Sequence, residues 1–276
     1  MAELPEIAKY TAQMDATLAG KVLSGVEITQ PKSTNLGEAE FNARVAGAVV
    51  ARAYYRGKWI LLELGSGDTL LLNVGMGADV LFQEPGVVNS DKWQARIGFT
   101  DGSAFTVRFW WIGKLLLVRT AELGEEPLIK DVALDPFSPK FTLDYFRDLL
   151  RGQRTGVKAF ILNQKRIGGI GNMYVHDILF EARLHPLTKI SVLSDDDVER
   201  IYDAIQLVLR ESAAKGTFAF ERDFFGEHGG WGGEGSDDFR VGYREGEPCP
   251  VCGTTIIALK TGSNTGYLCP NCQPVR

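Results

Sequence analysis

Cys249-Pro250-Val251-Cys252 and Cys269-Pro270-Asn271-Cys272 constrain this chain more than any other stretch. They are separated by sixteen residues and hold all four of its cysteines. Each Cys-x-x-Cys knuckle turns tightly enough to aim two thiolates at one ion, and two knuckles at this separation match a tetrahedral Zn(Cys)4 site. Thr254–Leu259 and Thr265–Leu268 read as strands, with Lys260–Asn264 as the turn between them. The stretch is therefore expected to be a zinc β-hairpin carrying one structural Zn2+ on Cys249, Cys252, Cys269 and Cys272. Two disulfides or four idle thiols are the alternatives. The absence of a signal pattern and the pairing of every cysteine in a knuckle favour zinc and a cytoplasmic setting.

The remainder is long enough for two domains. No apolar run is long enough to span a membrane. The net charge of -5 argues mildly against a nucleic-acid binder, but a binding face needs only a local excess. Residues 150–187 hold Arg151, Arg154, Lys158, Lys165, Arg166 and Arg183 against Asp177 and Glu181. A solvated helical face explains that surplus as well as an anion site does.

Residues 1–20 read as a helix. Pro5 suits the first turn, and Glu3 and Glu6 suit the positive end of its dipole. Ile7, Tyr10, Met14 and Leu18 form its apolar stripe, and Gly20 stops it. Strands are expected at Val22–Ile28, Ala48–Tyr55, Trp59–Leu64, Thr69–Val74, Asp79–Gln83, Gln94–Thr100, Ser103–Phe109 and Lys114–Val118. A short helix is expected over Leu36–Val45, and Asp101-Gly102 marks a hairpin. One helix followed by this many strands predicts a β-sandwich or barrel. Past Pro136 and Pro139 the pattern turns helical, at Thr142–Arg151, Val157–Gln164, Met173–Ala182 and Asp195–Ala214. The last has Ser194 as its cap and a core stripe from Val198 to Leu209. Phe218–Asp238 is aromatic and then glycine-rich, and reads as a mobile loop. The expected organisation is 1–135, 136–238 and 239–276.

Gly168-Gly169-Ile170-Gly171-Asn172 joins two of these helices. It suits either a phosphate approach or a tight corner. Lys58 lies at a hairpin turn, where lysines are ordinarily solvated. Trp59, Trp93, Trp110 and Trp111 suit either core packing or base stacking.

Several stretches together resemble the formamidopyrimidine-DNA glycosylase / endonuclease VIII family. They are Ala2–Glu6, Arg56–Leu62, Gly75-Met76, Gly169–Tyr174, Arg183–Pro186 and Gly246–Gln273, which appear in the family's order along essentially the whole chain. The resemblance implies an α+β multi-domain fold. An N-terminal helix lies on a two-layer β-sandwich, followed by a helix–two-turn–helix domain and a zinc finger, with damaged DNA in the cleft between. It implies base-excision repair by a DNA glycosylase with β-elimination (AP lyase) activity, working as a monomer in a bacterial cytoplasm, at the nucleoid. The N-terminal amine attacks C1′ of a flipped nucleotide. Ala2 occupies the nucleophile's position, Glu3 that of the general acid/base, Glu6 that of the second acid, and Lys58 that of the lysine of β-elimination. Met76, Trp110 and Ile112 align with the residues that wedge into the duplex. Trp93 aligns with a DNA-contact histidine, and Arg154 and Asn172 with phosphate contacts. Asn264 aligns with the zinc-hairpin arginine of δ-elimination.

The departures from the family pattern are specific. Ala2 replaces the usual proline and supplies a primary amine once Met1 is removed. Asn264 brings no cation to a phosphate, so a second strand cut is expected to be weak. Loss of the wedge arginine removes contacts to the orphaned base. A damaged- or abasic-DNA binder without turnover is the alternative reading, and a zinc-ribbon interaction module with no DNA affinity is a third.

Overall fold

Apolar alternation in the first half of the chain becomes two antiparallel sheets. The computed structural model describes residues 2–75, 77–87, 92–109, 111–217, 222–230, 238–262 and 264–275. Helix α1 (Leu4–Leu18) leads into β1 (Leu23–Ile28), α2 (Glu38–Val45), β2 (Val50–Arg56), β3 (Trp59–Leu64) and β4 (Asp68–Asn73). Strands β5 (Asp79–Gln83), β6 (Ala95–Phe99), β7 (Ala104–Arg108) and β8 (Lys114–Arg119) follow. One sheet runs β1-β6-β7-β5 and the other β2-β3-β4-β8.

The reason for two layers is legible in β3. Ile60, Leu62 and Leu64 face the same core as Val26, Ile97, Phe105 and Val107 of the other sheet. Trp59 and Leu61 point the opposite way, into a second cluster with Leu71, Leu116 and Ile129. A strand buried on both faces reads as a continuous apolar run rather than an alternation. The stripe of α1 (Ile7, Tyr10, Met14, Leu18) is fully buried in the sandwich core, where each such side chain contributes about 1.5–3 kcal/mol. Asp15 fixes the helix to β2 by accepting the Ala53 N–H at 2.7 Å.

The second half forms α3 (Leu143–Leu150), α4 (Val157–Ile161), α5 (Val175–Glu181), α6 (Asp195–Ala214) and the hairpin β9 (Ile257–Thr261) with β10 (Asn264–Leu268). Ser194 caps α6 through a reciprocal box with Asp197, its Oγ accepting the Asp197 N–H at 3.2 Å. The hairpin is shorter than the sequence pattern predicts. Cys249 N–H bonds the Thr254 carbonyl and Ile256 N–H bonds that of Glu247, so Thr254–Ile256 pair with their own knuckle. Thr261 pairs with Asn264, two residues that the sequence pattern places inside the turn. Ser263 lies outside the described residues. Helix α4 also stops earlier than expected, at Ile161.

The chain divides into two compact units, Met1–Asp131 with Gly216–Gly233, and Val132–Lys215 with Glu234–Arg276. The expected boundaries placed 216–233 with the helices and made the zinc finger separate. The reason for the difference is Phe224. It is fully buried in the sandwich core against the rings of Phe82 and Phe105, and its carbonyl accepts the Phe82 N–H at 2.8 Å. Asp223 closes the turn beside it, accepting from the Phe225 and Glu227 N–H groups at 3.0 Å and from Gln13 at 2.8 Å. The stretch read as a mobile loop therefore contains an ordered clip, while 218–221 and 231–237 lie outside the described residues. Phe224→Ala is expected to destabilise the protein by about 3–5 kcal/mol. Urea unfolding checks this, and an unchanged midpoint would contradict the clip's place in the core.

Candidate functional site

The site begins where α1 begins. Glu3 is the N-cap and Pro5 lies in the first turn. Ala2 is 3% exposed, and Glu3 and Glu6 are wholly buried. The Glu3 N–H donates to Glu6 Oε2 at 2.9 Å. Two acids thus sit at the positive end of the α1 dipole, one accepting from the other's backbone. Buried carboxylates are costly and are retained where such compensation exists. If Met1 is removed, the nitrogen of Ala2 becomes a primary amine beside these acids, a pairing suited to nucleophilic attack with proton transfer.

Lys58 is half-buried in the two-residue β2–β3 turn, closed by the Arg56–Trp59 pair. Gly57 takes φ +57° there, the left-handed conformation such turns require. The Lys58 carbonyl accepts from Asn73 Nδ2 at 3.3 Å, and Asn73 Oδ1 accepts the Gly75 N–H at 3.0 Å. One side chain therefore ties the turn to the loop after β4.

That loop meets a second one. Gly75 packs so close to the Trp111 carbonyl that a Cβ on it would stand 2.2 Å away. Trp111 and Ile112 are 66% and 72% exposed. Ile112 has φ +51°, a strained conformation for a β-branched residue that costs about 1–3 kcal/mol. Met76 and Trp110, expected beside Ile112, lie outside the described residues. Trp93 is half-buried, and its carbonyl accepts from Thr29 Oγ1 at 2.5 Å.

In the second unit the glycine corner has a structural use. Gly168 N–H bonds the Leu134 carbonyl at 3.0 Å, and Gly169 N–H bonds Gln164 Oε1 at 2.9 Å. Those two donors are engaged and do not await a phosphate. Asn172 is half-buried, and its Oδ1 has no hydrogen-bond partner among the described residues. Arg154 and Asn264 line one cavity beside α4 and the hairpin turn.

The four cysteine sulfurs lie within 4.8 Å of one another. Cys252 Sγ is 3.5 Å from those of Cys269 and Cys272, and Cys249 is 3.9 Å from Cys272. A disulfide needs about 2.05 Å. Tetrahedral zinc with Zn–S bonds of about 2.3 Å spaces its sulfurs about 3.8 Å apart, so the donor set fits one zinc. Backbone N–H groups of Val251 and Cys272 point at Cys249 and Cys269 sulfur at 3.5 and 3.4 Å, which favours thiolates. Bonds from Thr254 and Asn271 pull the Cys252 thiol down to about 5. Burial and its neighbouring thiols push Cys272 up to about 12, and a bound cation would reverse that. The four cysteines hold one structural zinc.

Two residues that sequence reasoning missed carry the hairpin. Asp177 on α5 is fully buried and accepts the N–H groups of Arg240, Val241 and Gly242 at 2.9, 3.0 and 3.0 Å. Burial raises its pKa, and these donors oppose the rise. Gln273, also fully buried, accepts the Cys269 N–H and donates to the Leu184 carbonyl. A lone Asp or Gln in sequence gives no signal for such a role.

Three family models match the chain. The Formamidopyrimidine-DNA glycosylase N-terminal domain matches over 1–109 and its H2TH domain over 132–222, and the zinc finger found in FPG and IleRS matches over 246–275. The chain is 31% identical to a formamidopyrimidine-DNA glycosylase of Pelotomaculum thermopropionicum over 286 aligned residues, covering 100% of each. It is 32% identical to that of a Roseiflexus species, covering 99% of the chain and 100% of the relative. Its structure is similar to MutM (FPG) of Thermus thermophilus, with TM-score 0.85, 26% identity and 98% of both chains covered. It is also similar in fold to Lactococcus lactis Fpg in complex with abasic-site DNA, with TM-score 0.88, 22% identity and 99% and 100% covered.

Elemental analysis is expected to find about one zinc per chain. Cys269→Ser removes a fully buried ligand and is expected to lower that content sharply and expose the hairpin to proteolysis. Full zinc retention by the variant would contradict a four-cysteine site.

Proposed function

The chain belongs to the formamidopyrimidine-DNA glycosylase family, and we propose that it removes damaged bases from DNA and cleaves the resulting site by β-elimination, using the amine of Ala2. The carrying observation is the buried start of α1, where Ala2, Glu3 and Glu6 leave solvent together and Glu3 N–H bonds the Glu6 carboxylate.

Removal of Met1 frees the Ala2 amine. An α-amine has a reference pKa of about 7.7–8.0 against about 10.4 for lysine, so more of it is neutral at pH 7. Its lone pair attacks C1′ of the deoxyribose, and the bond from C1′ to the base breaks. Glu3 manages the protons of base departure and ring opening, and Glu6 holds the Glu3 backbone in register. Cleavage of the C1′–O4′ bond, with a proton delivered to O4′ by Glu3, opens the sugar ring and leaves an imine between the nitrogen and C1′. The imine of a primary amine must be protonated to draw electrons, whereas a proline iminium carries a permanent charge. Once it is protonated, loss of a C2′ proton expels the 3′-phosphate, and Lys58 stands for the lysine that assists this step. Arg154 and Asn172 contact phosphates, and Trp93, Met76, Trp110 and Ile112 contact the duplex. The protein works on DNA as a monomer in the bacterial cytoplasm.

Asn264 at the hairpin turn carries no charge, so cleavage stops largely at the first strand cut. The same substitution, with Ala2, favours the second reading, a damage binder without turnover. Glu3→Gln separates the two readings. It keeps the side chain's shape but removes the proton-transferring acid, and is expected to lower base release by roughly 100-fold or more while DNA affinity stays within a few-fold. A screen of damaged-base oligonucleotides measures both. Turnover that the variant leaves unchanged would remove Glu3 from the mechanism.

A further inference from the structure

Asp79, the first residue of β5, is 9% exposed and stands directly across from Arg108, the last residue of β7. Their side chains form an ion pair. Arg222 closes on the same carboxylate from the clip, with Nε 3.3 Å from Oδ1 and Nη2 3.2 Å from Oδ2. All three residues belong to the first unit. A carboxylate this far withdrawn from water needs such partners. The cross-strand pair with Arg108 would by itself staple β5 to β7. Arg222 lies in neither strand, and two arginines on one acid leave a positive charge in surplus.

Each member of this cluster borders a different segment that the proposed reaction uses. Asp79 ends the loop that begins at Gly75, and Arg108 precedes the loop of Trp111 and Ile112. The two loops touch through backbone: a Cβ on Gly75 would stand 2.2 Å from the Trp111 carbonyl oxygen and 2.7 Å from the Gly113 nitrogen. Arg222 connects to α1, because its carbonyl accepts from the hydroxyl of Tyr10. Its neighbour Asp223 lies 3.3 Å from Lys9 Nζ and accepts from Gln13 at 2.8 Å. Lys9, Tyr10 and Gln13 all sit on the helix that starts beside Ala2. Polar contacts therefore run from that helix to the clip, from the clip to Asp79, and from Asp79 to the base of both loops.

We propose that Asp79 is a positioning residue, which by holding Arg108 and Arg222 together sets the Gly75 and Trp111 loops in register with the helix that presents the Ala2 amine. The inference rests on the DNA reading above and goes past it, since that reading gives Asp79, Arg108 and Arg222 no part. Loop entry into the duplex and attack at C1′ have to be made in one geometry, and a misplacement of about 1 Å costs roughly 100-fold in rate. The cluster acts on damaged duplex more than on intact duplex, because a nucleotide leaves the stack most readily where pairing is already lost.

The test uses the full, zinc-loaded chain. Fluorescence anisotropy compares a duplex carrying a tetrahydrofuran abasic analogue with the same duplex unmodified. A 2-aminopurine opposite the analogue reports loop entry, and single-turnover cleavage of a true abasic site at saturating protein reports the chemical step. Asp79→Asn leaves two arginines facing a neutral group and is expected to lower the melting temperature. Asp79→Asn/Arg222→Gln returns the charge surplus to that of the wild type and is expected to regain most of that loss. The double variant is expected to bind intact duplex within about two-fold of the wild type, since phosphate contacts dominate there. Its preference for the analogue and its single-turnover rate are each expected to fall roughly ten-fold, with most of the 2-aminopurine response lost. Arg222→Lys keeps the charge but not the two-point contact, and is expected to melt like the wild type while losing several-fold in preference and rate. Either variant, folded and with preference, rate and 2-aminopurine response unchanged, would make the cluster purely structural and overturn the proposal. If the double variant does not fold, Arg222→Lys decides alone. A wild type that binds neither duplex would overturn the DNA reading and this inference together.

Discussion

The first turn of α1 is buried together with both of its acids, and the proposed chemistry depends on that burial. Chain ends ordinarily fray. Here Ala2, Glu3, Leu4, Pro5, Glu6 and Ile7 are all withdrawn from solvent. Two carboxylates in an apolar setting would be strongly unfavourable alone. The helix's positive end and the Glu3 N–H to Glu6 bond at 2.9 Å offset part of that cost. The stripe Ile7, Tyr10, Met14 and Leu18 offsets the rest by anchoring the helix in the sandwich core. The sandwich core is thus what holds the first turn of α1 in place. Titratable groups placed at a cost in stability are a mark of functional sites.

The second unit solves a different problem, how to hold a small two-stranded hairpin in a fixed orientation. An isolated hairpin is marginal in water. This one is held by zinc at the base, by Gln273 bonding the Leu184 carbonyl, and by Lys158 across both strands near its turn. The segment leading into it is pinned by three N–H bonds to Asp177. Metal, buried carboxylate and buried ammonium each fix a different part of the finger.

Much of this was legible in the sequence because it rests on local patterns. The two knuckles prescribe the metal, the i, i+3, i+4 spacing prescribes the buried face of α1, and Asp101-Gly102 prescribes its hairpin, where Gly102 has φ +87°. The pieces that were not legible depend on partners distant in sequence. Phe224 reads as one aromatic in a glycine-rich loop until Phe82 and Phe105 are seen around it. Thr254–Ile256 has strand composition, yet its backbone bonds go to the first knuckle. The glycines at 168 and 169 suit a phosphate by type, but Leu134 and Gln164 already occupy their donors. Lys158 reads as one more solvated helical cation, and only the packing of the hairpin over it shows otherwise. Local sequence specifies which elements form, and long-range pairing decides which polar groups remain available.

The proposed mechanism puts the amine of Ala2 at its centre. Borohydride trapping on an abasic-site oligonucleotide, with the mass of the N-terminal peptide measured alongside, addresses it most directly. Reduction converts an imine into a stable protein–DNA adduct. The expected product is an adduct on Ala2 in protein that has lost Met1. Protein that binds the oligonucleotide yet yields no adduct, or an adduct that maps to Lys58, would contradict it.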